Sequence, residues 1–205
     1  MLRRIRIKAF SCDVIDARIL RVENYGSFCD IGCGITALLP TNRISVTHIN
    51  NPKEVLNKVR NIKVVVDNIK EDGKINLSQR ELLGTWDEEA SKFTTGETVC
   101  GTVLSVEDYG IFIRLSQNLS GLASPNTDVE VKPGDVVSVH IHLINEETMK
   151  IKLNIISRLD CHEEPMKFNY YIMEGHISHW SYMSKGYTAG KKCVETNYGG
   201  DTDGI

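Results

Sequence analysis

The sequence predicts an all-β fold, two small tandem barrels joined by a short helix and followed by a C-terminal extension that also contains β-structure. Three observations carry that reading: an internal repeat, a period-two alternation of apolar residues within each copy, and a single helix-start signal between the copies. Repeats come first, because a missed repeat misassigns the whole fold. Ala17-Arg-Ile-Leu-Arg-Val-Glu-Asn-Tyr-Gly-Ser-Phe-Cys-Asp-Ile is answered by Gly101-Thr-Val-Leu-Ser-Val-Glu-Asp-Tyr-Gly-Ile-Phe-Ile-Arg-Leu. Further on, Val64-Val-Val-Asp-Asn-Ile-Lys-Glu-Asp-Gly-Lys-Ile-Asn-Leu-Ser is answered by Val139-His-Ile-His-Leu-Ile-Asn-Glu-Glu-Thr-Met-Lys-Ile-Lys-Leu. Chance does not reproduce two halves in the same order.

Within each copy the elements follow from local chemistry. Val14, Ile19 and Val22 lead into Asn24-Tyr25-Gly26, a hairpin signal between strands. In the strand after the turn, alternation sets Phe28 and Asp30 on one face and Cys29 and Ile31 on the other. The second copy divides Phe112 and Arg114 from Ile113 and Leu115 in the same way. If the aliphatic set fills the barrel, a phenylalanine faces outward at equivalent positions twice. Exposed rings at matched sites need a reason, and binding supplies one. Gly26 and Gly110 serve the turns beside them.

Asn51-Pro52-Lys53-Glu54 is a helix start inside copy one. Copy two replaces that helix with a short stretch around Val131-Lys132-Pro133-Gly134. Thr85-Trp86-Asp87-Glu88 is a second start, placing Trp86, Ala90 and Phe93 on one stripe against a barrel. The predicted organisation is a basic segment at 1–12, a barrel at 13–83, a helical connector at 84–95, a barrel at 96–157 and an extension at 158–205. In that extension Tyr170-Tyr-Ile and Lys192-Cys-Val-Glu-Thr are read as a hairpin over a barrel edge, with a loose end after it.

Both copies resemble the S1 RNA-binding domain, the repeat of ribosomal protein S1, a five-stranded variant of the OB fold. The resemblance rests on Tyr25-Gly-Ser-Phe28, Ala37-Leu-Leu-Pro40 and Gly73-Lys-Ile-Asn-Leu-Ser78, and on Tyr109-Gly-Ile-Phe112, Gly121-Leu-Ala-Ser124 and Met149-Lys-Ile-Lys-Leu153. It spans residues 13–156. It implies single-stranded RNA held on Tyr25, Phe28 and Lys74 in the first copy and on Tyr109, Phe112 and Lys150 in the second. Arg43 joins these through the positive charge of the first copy, and Arg114 lies beside Phe112 on the expected face of the second. The histidine that such domains carry on the third strand is replaced by Pro40 and Ser124, which removes one stacking or hydrogen-bonding group per barrel.

Charge refines the expectation. The net charge is −3, unpromising for a nucleic-acid binder. The sum conceals an asymmetry, since residues 1–12 hold four basic groups and no acid, residues 13–83 sum to +1 and residues 96–157 to −4. Arg3, Arg4, Arg6 and Lys8, with Arg18 and Arg21, therefore assign the larger share of RNA affinity to the first barrel.

The implied partner is single-stranded mRNA, in the setting of the ribosome. Two alternatives are a module that docks on ribosomal or RNA-processing proteins and a transcription-associated regulatory RNA-binding factor. No cofactor, metal or small-molecule substrate is implied, and no catalytic residues are assigned, because nothing arranges a nucleophile with a base. Cys161-His162, His176-x-x-His179 and Cys193 fit no established zinc spacing. No apolar run approaches the roughly 18 residues of a membrane span. With six cysteines in no disulfide pattern, a cytoplasmic location is expected.

Overall fold

A computed structural model describes residues 12–32, 34–56, 59–126, 128–161, 167–190 and 193–198. The first barrel is built from β1 (Val14–Glu23), β2 (Gly26–Asp30), β3 (Thr36–Pro40), β4 (Asn61–Ile69) and β5 (Ile75–Ser78), closed in the order β1-β2-β3-β5-β4. The second uses β6 (Thr98–Glu107), β7 (Gly110–Arg114), β8 (Ser120–Ala123), β9 (Val136–Asn145) and β10 (Lys150–Leu159), closed as β10-β8-β7-β6-β9. In each, the third strand meets the fifth in parallel and every other pairing is antiparallel. The two copies therefore share one OB-type topology, and closure leaves neither sheet an open edge.

Alternation fills the barrels as the repeat predicts. Cys29 and Ile113 are wholly buried, beside Leu39, Val64 and Leu77 in the first barrel and Val139, Ile141 and Leu153 in the second. Ile31 and Leu115 pack half-buried against the same cores. The first strand of each barrel carries a bulge at the same place, Leu20 between Ile19 and Arg21, and Leu104 between Val103 and Ser105. One extra residue there sharpens the twist that lets a strand bend around the barrel.

Helix α1 (Pro52–Leu56) starts where Asn51 caps it, its side-chain oxygen accepting from the Lys53 amide at 3.1 Å. Helix α2 (Trp86–Ala90) is shorter than the connector stripe implies. Thr85 and Glu88 form a reciprocal capping box at its start, and Trp86 and Ala90 are buried while Phe93, past its end, still packs on the same core.

The barrels are clamped by the loop between β7 and β8. The Asn118 side chain accepts from the Val46 amide at 2.8 Å and the Ser45 hydroxyl at 3.1 Å, and donates to the carbonyls of Gly84 at 2.7 Å and Arg80 at 3.2 Å. Gln117 donates to the carbonyls of Leu83 at 3.0 Å and Asn169 at 2.6 Å, and accepts from the Asn169 amide at 2.8 Å. Both amides are buried and satisfied, the condition under which a polar group inside a protein specifies one arrangement instead of costing stability.

The extension departs from the sequence reading. Its small sheet pairs β11 (His179–Ser181) with β12 (Glu195–Asn197), so Thr196 lies in a strand as read but Tyr170–Ile172 does not. Those residues run instead as irregular chain against the first barrel and the connector. The Tyr170 hydroxyl accepts from the Lys63 amide at 3.1 Å and the Gln79 side chain at 2.9 Å, and the Tyr171 amide donates to Leu82. Trp180 and Tyr182 complete a core shared with Leu82, Trp86 and the second barrel. The basic run at 3–8 and the Gly-rich end lie outside the described residues.

Candidate nucleic-acid interface

Strand register places the phenylalanine of each aromatic pair in a row of outward-facing side chains. In the first barrel the row reads Arg21, Phe28, Leu38, Asn76, Asn68 across β1, β2, β3, β5 and β4. In the second it reads Ser105, Phe112, Leu122, Lys152, Leu143. The tyrosines stand one residue before β2 and β7, 58% exposed at Tyr25 and 68% at Tyr109. Each meets its phenylalanine edge to face, with ring centroids 6.1 Å apart at 88° in the first barrel and 6.0 Å apart at 82° in the second. Such edge-to-face contact is a favoured arrangement of two rings, and it leaves one tyrosine face in solvent.

The glycine in each Tyr-Gly-x-Phe motif does more than turn the chain. A Cβ on Gly26 would lie 2.4 Å from the Leu39 carbonyl oxygen, and one on Gly110 would lie 2.8 Å from that of Ala123. Only glycine lets the following strand approach so closely, and that approach sets the ring height over the sheet.

The basic residues are disposed less evenly. Lys74 is exposed on the turn before β5, but its ammonium lies 2.7 Å from the Asp72 carboxylate. That contact holds the Asp72 carboxyl below its ordinary range and raises the lysine. Arg43 is held by acids, 3.3 Å from Asp67 and 3.7 Å from the buried Glu81. Burial pushes the Asp67 carboxyl up, against the pull of Arg43. Arg21 instead lies over Phe28, 4.9 Å from the ring centroid, while its Nε pairs with Glu23 at 2.9 Å.

In the second barrel Lys150 opens β10, exposed, and Lys152 is exposed in the same row as Phe112. Arg114 shares the Phe112 side of β7 but is only 8% exposed, lining a cleft with His48, Asn50, Leu104 and Pro133. The first barrel's loop covers it, so it does not stand on an open face beside the ring. Lys152 lies two residues past the strand opening where the motif places its base. The alternation Lys150-Ile151-Lys152 was the signal that both lysines face out.

Pro40 and Ser124 follow the third-strand leucines, and Pro40 pairs with Gly26 beside Tyr25. A pyrrolidine ring therefore occupies the site next to the tyrosine in place of an imidazole. Of the histidines read for metal spacing, His176 lies 3.1 Å from Asp13, and among the described residues no three of His, Cys, Asp and Glu gather into a metal site.

Two closed five-stranded barrels of one OB topology, each with an aromatic pair at the hairpin that opens β2 or its counterpart, define a tandem OB-fold protein. The S1 RNA binding domain model matches residues 8–80, and the chain carries an S1 RNA-binding domain there. Over most of its length the chain is homologous to the small ribosomal subunit protein bS1. It is 32% identical to that protein of Staphylococcus epidermidis over 160 residues, covering 72% of this chain and 40% of the relative. To bS1 of Rhizobium meliloti it is 31% identical over 131 residues, 61% of this chain and 23% of the relative. The chain thus spans less than half the length of these relatives. Among solved structures, an a/eIF2alpha–aDim2p–rRNA complex from Pyrococcus horikoshii is similar at 21% identity, with 40% of this chain and 51% of that chain covered and a TM-score of 0.34. The matched model is that of an RNA-binding domain. Among the described residues no helix is long and apolar enough to cross a membrane.

Proposed function

We propose that the chain binds single-stranded RNA on two aromatic platforms, Tyr25 with Phe28 and Tyr109 with Phe112. The observation that carries the reading is the recurrence of one edge-to-face pair, its phenylalanine at the same register position, on two barrels of one topology. Unpaired bases stack on such rings irrespective of sequence, for about 1–3 kcal/mol per base. Lys74, Lys150, Lys152 and Arg21 serve the phosphates, and Arg43 and Arg114 act through the shape of the surrounding surface. The first barrel takes the larger share of the affinity, on the charge balance of residues 1–83, and Lys152 narrows the difference.

Homology to bS1 supports a setting in translation, with mRNA as the ligand at the ribosome in the cytoplasm, and a binding role without catalysis. The test is a titration of a short single-stranded RNA by fluorescence anisotropy. Tyr25→Ala/Phe28→Ala and Tyr109→Ala/Phe112→Ala should each lower the affinity about tenfold or more, given the stacking range above. Unchanged affinity in both double variants, with both folded, would overturn the reading. Binding indifferent to salt would point instead to a protein partner on the ring faces.

A further inference from the structure

The two barrels bury equivalent surfaces to different extents. In the second barrel the bulge residue Leu104 and its neighbours Thr102 and Arg114 are each 8% exposed. What covers them is the first barrel's segment between β3 and β4. His48, Ile49, Asn50 and Val55 line one cleft with Thr102, Leu104 and Arg114, and the Asn50 side chain donates to the Leu104 carbonyl at 2.9 Å. In the first barrel the corresponding residues are Arg18, Leu20 and Asp30. Leu20 occupies the same bulge, 55% exposed, with Arg18 exposed beside it and Asp30 half-buried.

We infer that the Leu20 bulge is a docking surface for the β3–β4 segment of a further S1-type barrel. The occupant is fixed by the repeat itself. The one surface of this shape whose cover is seen is covered by such a segment, through an apolar contact on the bulge leucine and an amide donated to its carbonyl. A bulge leaves that carbonyl outside the strand ladder, so it accepts from a neighbour without breaking a pairing. A second copy of this chain is a poorer occupant, because its own His48–Asn50 stretch is already engaged by its own second barrel.

The contact at Leu20 differs from that at Leu104 in two respects. The loop that supplies Gln117 and Asn118 in the second barrel is glycine-rich in the first, with Gly32 and Gly34. The docked segment is therefore held without the amide clamp, and the association is weaker than that between the two barrels of one chain. Asp30 stands where Arg114 stands, which favours a segment with a positive group at the place of His48.

The test appends a copy of residues 44–56 ahead of Met1 of the full chain through a flexible Gly-Ser linker, which raises its effective concentration to the order of millimolar. Amide resonances of Arg18 to Arg21 and of Asp30 should shift, and exchange of those amides should slow about tenfold. Ile49→Glu in the appended copy alone should abolish both effects, and this variant leaves the folded barrels untouched. Leu20→Glu in the chain should do the same, its spectrum elsewhere unchanged. Absence of shifts, or shifts that persist with the appended Ile49→Glu, overturns the assignment. Self-association of the unmodified chain lost on Leu20→Glu would place a second copy there, and RNA-induced shifts at the same amides would place RNA there. Either outcome overturns it too. The measurement on the appended chain uses no RNA, so its failure leaves the function proposed above standing.

Discussion

Phe28 and Phe112 occupy the same row of the same barrel and yet face different neighbours. A guanidinium covers one face of Phe28, whereas Ser105 stands at the corresponding place in the second barrel and a lysine, not Asn76, lies two strands beyond. This difference is testable one residue at a time. Lys152→Asn should weaken RNA binding several-fold and flatten the salt dependence by about 0.7 in log–log slope, the increment for one phosphate on a single strand. Asn76→Lys should strengthen binding by a similar factor, and a titration at two or more salt concentrations reads both. Gly110→Ala should destabilise the second barrel by about 1–3 kcal/mol in urea melts, because its Cβ meets the Ala123 carbonyl. At this scale the rings, the turn glycines and the strand-opening lysines were legible, since hairpin motifs and alternation are local. The burial of Arg114 was not, because it depends on His48 and Asn50 of the other barrel, and neither was the turning of Arg43 toward Asp67 and Glu81.

Helix α2 and the β7–β8 loop are short elements whose work is joining. The capping box at Thr85 was readable from Thr-x-x-Glu spacing, and Thr85→Ala should lower stability by about 1 kcal/mol, measured by thermal or urea unfolding. The Gln117-Asn118 clamp was invisible, because a polar dipeptide between two strands reads as ordinary loop. Its partners, Ser45 and Val46, lie in another repeat more than seventy residues earlier in sequence. Asn118→Ala removes the acceptor of the Val46 amide and leaves that group without its side-chain partner. A loss of about 2–4 kcal/mol is expected, above the mean for one hydrogen bond because several buried groups lose partners together. If the variant unfolds at the wild-type urea midpoint, the loop does not hold the barrels. The misplaced hairpin in the extension has a related cause. Tyr170 and Tyr171 have strand-like composition, but hydrogen bonds to Lys63, Gln79 and Leu82 engage them before any strand can.

Taken as one body, the molecule hides groups that ionise only at high pH. Burial pushes the Cys29 thiol from 9.0 to about 11, and the buried Tyr182 hydroxyl is raised for the same reason. A folded-state pKa above the unfolded value means that stability is complete below pH 9 and is lost as pH rises through 11. For Cys29 the gap amounts to about 2–3 kcal/mol. Urea midpoints should therefore hold steady through neutral pH and fall between pH 9 and 11, with a shallower fall in Cys29→Ala. An identical slope in that variant would exclude the thiol as a cause. The fixed relation of the barrels bears on RNA in another way, through kinetics. When two sites on one rigid body hold a single strand, one site can open while the other keeps the strand in place. A competing strand can then enter the vacated platform before the first closes again. The lifetime of a long RNA on this protein should consequently shorten as free RNA is added, whereas an RNA long enough for only one platform should leave at a constant rate. Stopped-flow dissociation against increasing unlabelled competitor would show the difference.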